Sequence, residues 1–263
     1  MKQTDYRHRH HQRLNYYFPQ FQYHNTLDSR LWLSSGEMRT LVANALKLLV
    51  NNHILYLRRI GVPLPDNCIH DILIHGSTTN YYYTHDSDID ICVIVDMDAV
   101  RAVLPTLDIF SILRAAVWHW RRNYDISICG MQVDVEFVDV HTPEYGNRYK
   151  PGSTYSLAQN KWLEPPVILL PDDVTRMKKM ARQKYFEYRK MYKRIVRDDM
   201  GPDFIETFIQ RLTHERKESL IDMPQHGTNP TVLAFRMIRK SGIYDKLRVR
   251  AVRKRSKNFN LSF

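Results

Sequence analysis

Asp88 and Asp90 stand two apart at the head of the apolar run IDICVIV, and a third acid, Asp134, sits among apolar residues in MQVDVEFVDV. Residues two apart on a strand project to the same side at about 7 Å, so Asp88 and Asp90 share one face. Asp134 joins them if its strand lies beside theirs. Three carboxylates gathered at a sheet edge repel one another, and their burial is costly, unless divalent cations sit between them. An all-oxygen set of this kind suits magnesium, which bridges a few carboxylates to substrate phosphates. Glu136 follows Asp134 on the same face, one pleat along, and is the lower-ranked alternative for the third ligand. Upstream, Gly76-Ser77 closes the preceding apolar stretch DILIH. A residue without a side chain lets phosphate oxygens approach backbone amides there, and Ser77 adds a hydroxyl.

Other polar residues near the motif have plainer readings. Asp86 belongs to the turn before the strand, and Asp96 and Asp98 read as the cap of a helical turn. His75 and His85 flank the motif as packing or hydrogen-bonding residues, and His8, His10 and His11 belong to a polar arm.

The elements that must position these groups follow from periodicity. Residues 1–30 mix His, Arg, Tyr and Gln without a clear period and read as a basic arm. Ser34-Ser35-Gly36-Glu37 resembles a capping box, with apolar residues at helical spacing after it, so a helix is predicted over 35–60. Strands are predicted at 71–75 and 89–95, a helical turn at 98–103, a helix to about 122, and two strands meeting near Gly130. The order α-β-β-α-β-β makes residues 31–141 a small mixed sheet with helices on one side, an α/β catalytic domain. Residues 142–171 connect it to a helical C-terminal domain over 172–263. In that domain Val174, Met177, Ala181, Tyr185, Tyr188, Tyr192 and Ile195 form one stripe, read as core, beside a face rich in Lys and Arg. Further helices are predicted at 203–219 and 229–241, the latter with Asn229 as cap, Pro230 at its first position and Gly242 beyond its end. The tail KLRVRAVRKRSK reads as a basic run.

The sequence resembles the polymerase-β-like nucleotidyltransferase superfamily. Gly76, Ser77, Asp88, Asp90 and Asp134 fill its pattern of hydrophobic-Gly-Ser, Asp-x-Asp and a later apolar-Asp-apolar strand. A narrower likeness, from about residue 70 onward, is to predicted phage and bacterial nucleotidyltransferases. It lies in GSTTNYYYTHDSDIDICVIVD, GMQVDVEFV, YSLAQNKWLEPP and NPTVLAFRMIRKSGIYDKL. The resemblance implies transfer of an NMP from an NTP such as ATP to an acceptor hydroxyl, with two Mg2+ ions, or Mn2+ in their place, held by Asp88, Asp90 and Asp134. It favours Asp134 over Glu136, gives Gly76 and Ser77 to the triphosphate, and puts Lys161 at a junction that faces the phosphates, with Trp162 as core.

Composition narrows the partners. Lys and Arg outnumber Asp and Glu by 39 to 28, a formal charge of +11, and the pI is about 9.5, which points to polyanions. RNA is the expected acceptor, a tRNA end being one form of it, with Arg253, Lys254 and Arg255 as phosphate contacts. A protein or small-molecule acceptor is the alternative, and a non-catalytic nucleic-acid-binding protein is a further one. Cys68, Cys92 and Cys129 lie far apart and form no CxxC pair, so neither a zinc site nor a disulfide framework is expected. The chain carries no apolar run of spanning length and no secretory leader, so a cytoplasmic protein without a membrane partner is expected. Walker A, GxGxxG, HExxH and GxSxG motifs are missing, which argues against P-loop, Rossmann, metalloprotease and hydrolase readings.

Overall fold

The computed structural model describes residues 23–62, 64–103, 105, 108–124, 126–141, 153–221 and 228–259. Residues 1–22 of the predicted basic arm and 142–152 of the predicted connecting segment lie outside them. The described residues fall in two units, one over 23–168 and the other over 169–221 and 228–259.

In the first unit, helix α1 (Thr40–Arg59) buries Val42, Ala43, Leu46, Leu49, Val50, His53, Ile54 and Leu57. It starts later than the apparent capping box predicts. Gly36 has φ +83°, and Trp32 and Met38 form a bridge across it, so Ser35 and Glu37 belong to a tight turn instead of a helix start. That turn carries Trp32 into the core, stacked on Trp162 with ring centroids 4.5 Å apart.

Six strands form one sheet: β1 (Ile69–His75), β2 (Ile89–Val95), β3 (Ser127–Ile128), β4 (Met131–Asp139), β5 (Thr154–Ser156) and β6 (Lys161–Glu164). Their order is β3-β4-β2-β1-β5-β6. The β2–β4 pair is parallel and the others are antiparallel, so the sheet is mixed. A parallel pair needs a crossover, here supplied by α2 (Met97–Val103) and α3 (Ile109–Asn123). Strand β2 lies inside the sheet and is apolar on both faces, which explains the run ICVIV.

The two faces of the sheet differ. Ile74, Ile89, Ile91, Val93, Val95, Val133 and Val135 join the residues of α1, α2 and α3 in the main core. The opposite face holds a small apolar pad, Leu73, Cys92, Ile94 and Val138. Alternation along β2 and β4 places Asp90 and Asp134 on this second face.

Strands β5 and β6, within what reads as a connecting segment, extend the sheet beyond the four predicted strands. At three and four residues they are too short to show alternation.

The second unit is helical: α4 (Pro171–Arg197), α5 (Pro202–Ile221), α6 (Pro230–Lys240) and α7 (Ile243–Phe259). The α4 stripe is core, with Val174, Met177, Ala181, Tyr185, Tyr188 and Ile195 buried. Asn229 caps α6, its side chain accepting from the Val232 amide, and Gly242 follows at φ +69°. The basic tail is a helix, because Ile243, Leu247 and Ala251 recur every four residues and are buried. Among the described residues no helix is long and apolar enough to cross a membrane.

Candidate active site

Asp90 lies between two neighbours, in register with His75 on β1 and with Asp134 on β4. Asp88 precedes β2, and one carboxylate oxygen from each of Asp88, Asp90 and Asp134 lies within 4.8 Å of the other two. Asp88 is exposed, whereas Asp90 and Asp134 are half-buried. Burial pushes the Asp90 carboxyl up to about 6; His75 opposes this, while Asp88, Asp134 and Glu136 push it further in the same direction. Asp90 thus resists ionisation, because its charged form meets both burial and three neighbouring acids.

Glu136 takes a different partner. It is in register with Cys92, one pleat beyond Asp134, and its Oε1 lies 3.6 Å from His75 Nε2. The structure therefore groups Asp134 with Asp88 and Asp90, and sets Glu136 beside the histidine.

Gly76 is required by its own geometry. Its φ of +88° and ψ of −155° fall in a region open essentially to glycine alone. A Cβ there would stand 2.1 Å from Asp90 Oδ2. The missing side chain leaves the space that the carboxylate fills. The Gly76 carbonyl accepts from Thr79 Oγ1 at 3.0 Å and from Asn80 Nδ2 at 2.7 Å, which fixes the turn.

Ser77 Oγ donates to Ser87 Oγ at 3.0 Å, and Ser87 Oγ accepts from the Thr84 amide at 2.9 Å. The hydroxyl expected to meet phosphate is thereby joined to the loop that delivers Asp88. Residues 24–30 brace the same loop. His24 stacks on Tyr83, and Arg30, paired with Asp28 at 2.6 Å, donates to the Thr84 and His85 carbonyls at 3.1 Å each. Trp32 Nε1 donates to the Thr78 carbonyl at 2.8 Å.

Thr79, Asn80, Ser87, Asp28, Arg30 and Trp32 were not among the predicted site residues. The usable signal was the wholly polar run Ser-Thr-Thr-Asn after Gly76, since such side chains favour bonding to nearby backbone in turns. Nothing in the sequence ties Arg30 to a loop more than fifty residues away.

Lys161 opens β6, is exposed, and pairs with Ser156, which pairs with Leu73. It therefore shares the carboxylates' face, three strands from β2 or about 14 Å across the sheet. Arg253, Lys254 and Arg255 lie on α7 in the helical unit. Lys254 Nζ is 2.7 Å from Asp199, and Arg255 bridges Asp203 at 2.9 Å and Glu206 at 2.6 Å; Arg253 is exposed.

A second acidic group, Asp96, Asp98 and His141, also brings ligand atoms within 4.8 Å. Asp96 Oδ1 accepts from the Asp98 and Ala99 amides, which makes it the cap of α2, and Arg101 pairs with Asp98.

No protein-family model and no curated protein matches the chain. Among solved structures, a STING-associated CdnE c-di-GMP synthase from Capnocytophaga granulosa is similar over 84% of each chain, at 12% identity and a TM-score of 0.22. So low a TM-score carries no weight, and the chemistry of the site rests on its own geometry.

Proposed function

We propose that the protein is a nucleotidyltransferase that moves an NMP from an NTP to an acceptor hydroxyl. The observation that carries this is the meeting of Asp88, Asp90 and Asp134 on one sheet face, beside a Gly-Ser turn whose glycine makes room for one of them. The donor set fits a hard divalent cation: three carboxylates, one raised to about 6 by burial and like charge. Asp88, Asp90 and Asp134 would hold two Mg2+, which neutralise triphosphate charge and lower the acceptor's pKa when bound.

The chain's own groups do the rest. Ser77 Oγ and the amides following Gly76 hold the triphosphate, with Lys161 contributing from the same face. The acceptor oxygen forms a bond to the α-phosphorus while the bond from that phosphorus to the bridging oxygen breaks, and the electron pair leaves with pyrophosphate. Asp134 takes the acceptor's proton. Asn80, Thr79 and Ser87 keep the turn and the acidic loop in place.

RNA is the proposed acceptor, supported by the +11 charge and by exposed Lys179, Lys190 and Lys193 on α4. A protein or small-molecule acceptor is favoured by one observation, the engagement of Lys254 and Arg255 with acids of their own unit. Incubation with each α-labelled NTP, Mg2+ and either total RNA or RNA-free cell extract separates these readings. Label in RNA supports the first acceptor, and label on protein or a small molecule supports the second. Absence of transfer and of pyrophosphate release with every NTP and both acceptor pools would overturn the enzyme.

A further inference from the structure

We propose that the outward face of α1 is a self-association surface, which pairs antiparallel with α1 of a second copy about a two-fold axis at Leu48. The helix buries one face in the core, yet Leu41, Leu48 and Leu55 remain 85%, 61% and 59% exposed. They recur every seven residues, spaced about 10 Å apart along the axis. Asn44 and Asn52, both exposed, fall between them.

The order Leu41, Asn44, Leu48, Asn52, Leu55 reads the same from either end, with Leu48 at its centre. At 100° per residue all five lie within about 40° of Leu48's direction. A two-fold contact must be self-complementary, and a palindromic stripe on an antiparallel pair meets that requirement. Leu48 then meets its own copy, Leu41 meets Leu55, and Asn44 meets Asn52. Asparagine both donates and accepts, so two of them pair side by side.

The helix dipoles agree with this direction: an antiparallel pair opposes them favourably, whereas a parallel pair aligns them. Arg59, eleven residues after Leu48 and exposed, falls on the same side of the helix, so a parallel pair would also place Arg59 on Arg59, whereas an antiparallel pair sets the two at opposite ends.

The stripe is narrow, so the dimer is expected to be weak, with a Kd on the order of 10–100 µM. Sedimentation of the full chain from about 5 to 500 µM should show the average mass rising from 31.4 kDa toward twice that value. Leu48→Glu, which sets two carboxylates face to face at the axis, should stay monomeric with an unchanged melting curve. A wild type that stays monomeric throughout, or a dimer that Leu48→Glu leaves intact, would overturn the proposal.

Direction is tested by cross-linking in a Cys129→Ser background, which removes the exposed native thiol. With a short bis-maleimide, Leu48→Cys alone should cross-link, as should Leu41→Cys with Leu55→Cys, while Leu41→Cys or Leu55→Cys alone should not. Equal cross-linking of all three single variants would replace the antiparallel arrangement with a parallel one and reject the two-fold at Leu48. Cross-linking at none of them would assign any dimer to another surface.

Discussion

Asp90 is the residue whose state most depends on what surrounds it. Its folded carboxyl is raised from 3.8 to about 6, so without metal the folded chain binds more protons than the unfolded one across that interval. Stability is therefore lost as pH rises from about 4 to 6, and Asp90→Asn should remove the loss. In chelator at pH 7 the variant should be more stable by about 1–3 kcal/mol, and the gap should close by about pH 4, as thermal melts over that range will measure. The same substitution, like Asp88→Ala, should abolish transfer at saturating Mg2+; near-normal turnover in either would remove the metal assignment. Asp134→Asn should reduce turnover far more than Glu136→Gln, because Glu136 stands with His75 and outside the three-carboxylate group. A larger loss in Glu136→Gln would reverse that ranking. Gly76→Ala should cost more than about 2 kcal/mol and abolish transfer, through a backbone angle that alanine resists and a Cβ that collides with Asp90. The pairing of Asp88 with Asp90 and the Gly-Ser turn before them were legible in local spacing, whereas Asp134 joined them only on the condition that its strand lay beside theirs, which the parallel β2–β4 register meets. The contact of Gly76 with Asp90 was not legible, since it joins residues fourteen positions apart through a register that no periodicity encodes.

At the level of elements, strong periods read true and short ones did not. Strand β2 runs over the predicted 89–95, and α6 has the cap, the proline and the terminal glycine that the sequence announces. The start of α1 was misread because Ser-Ser-Gly-Glu suits a capping box and a tight turn equally well, and burial of Trp32 decided for the turn. Helix α7 was hidden by its basic residues, although three small or apolar positions suffice to seat it. Helices α4 and α5 are joined by a polar cluster that periodicity does not disclose. Glu215 accepts from Tyr188 Oη and Arg211 Nε, each at 2.7 Å, and Lys184 Nζ lies at 3.0 Å. Burial pushes its carboxyl upward, but the bonds from Tyr188, Arg211 and Lys184 outweigh this and hold it at about 2. A depressed carboxyl contributes stability that is complete above its ordinary 4.5 and lost as pH falls toward 2. After allowance for its partial exposure, Glu215→Gln should cost about 1–2 kcal/mol at pH 7 and almost nothing near pH 2, as urea titrations at the two values will show.

Over the whole molecule, the surplus of basic residues is the feature that points beyond the chain, and its placement decides which residues can serve an acceptor. Helix α7 contributes buried Ile243, Leu247 and Ala251, so removing the tail would damage the fold and test nothing about RNA. Lys254 and Arg255 already answer acids within their unit, whereas Lys179, Lys190 and Lys193 on α4 and Arg253 on α7 are exposed. If α4 holds RNA through phosphates, each neutralised phosphate releases condensed counterions, and log affinity should fall with log salt by about 0.7 per contact for a single strand. Replacing Lys179, Lys190 and Lys193 with Gln should flatten that slope by about 2, reduce affinity to a similar extent across RNA sequences, and leave magnesium-dependent chemistry on NTP intact. Arg253→Ala should add a smaller decrement of the same kind. Filter binding from low to moderate salt supplies the slopes. An unchanged slope in the α4 variant would take the acceptor away from that helix, and wild-type RNA affinity indifferent to salt, alongside retained NTP binding, would favour a protein or small-molecule acceptor.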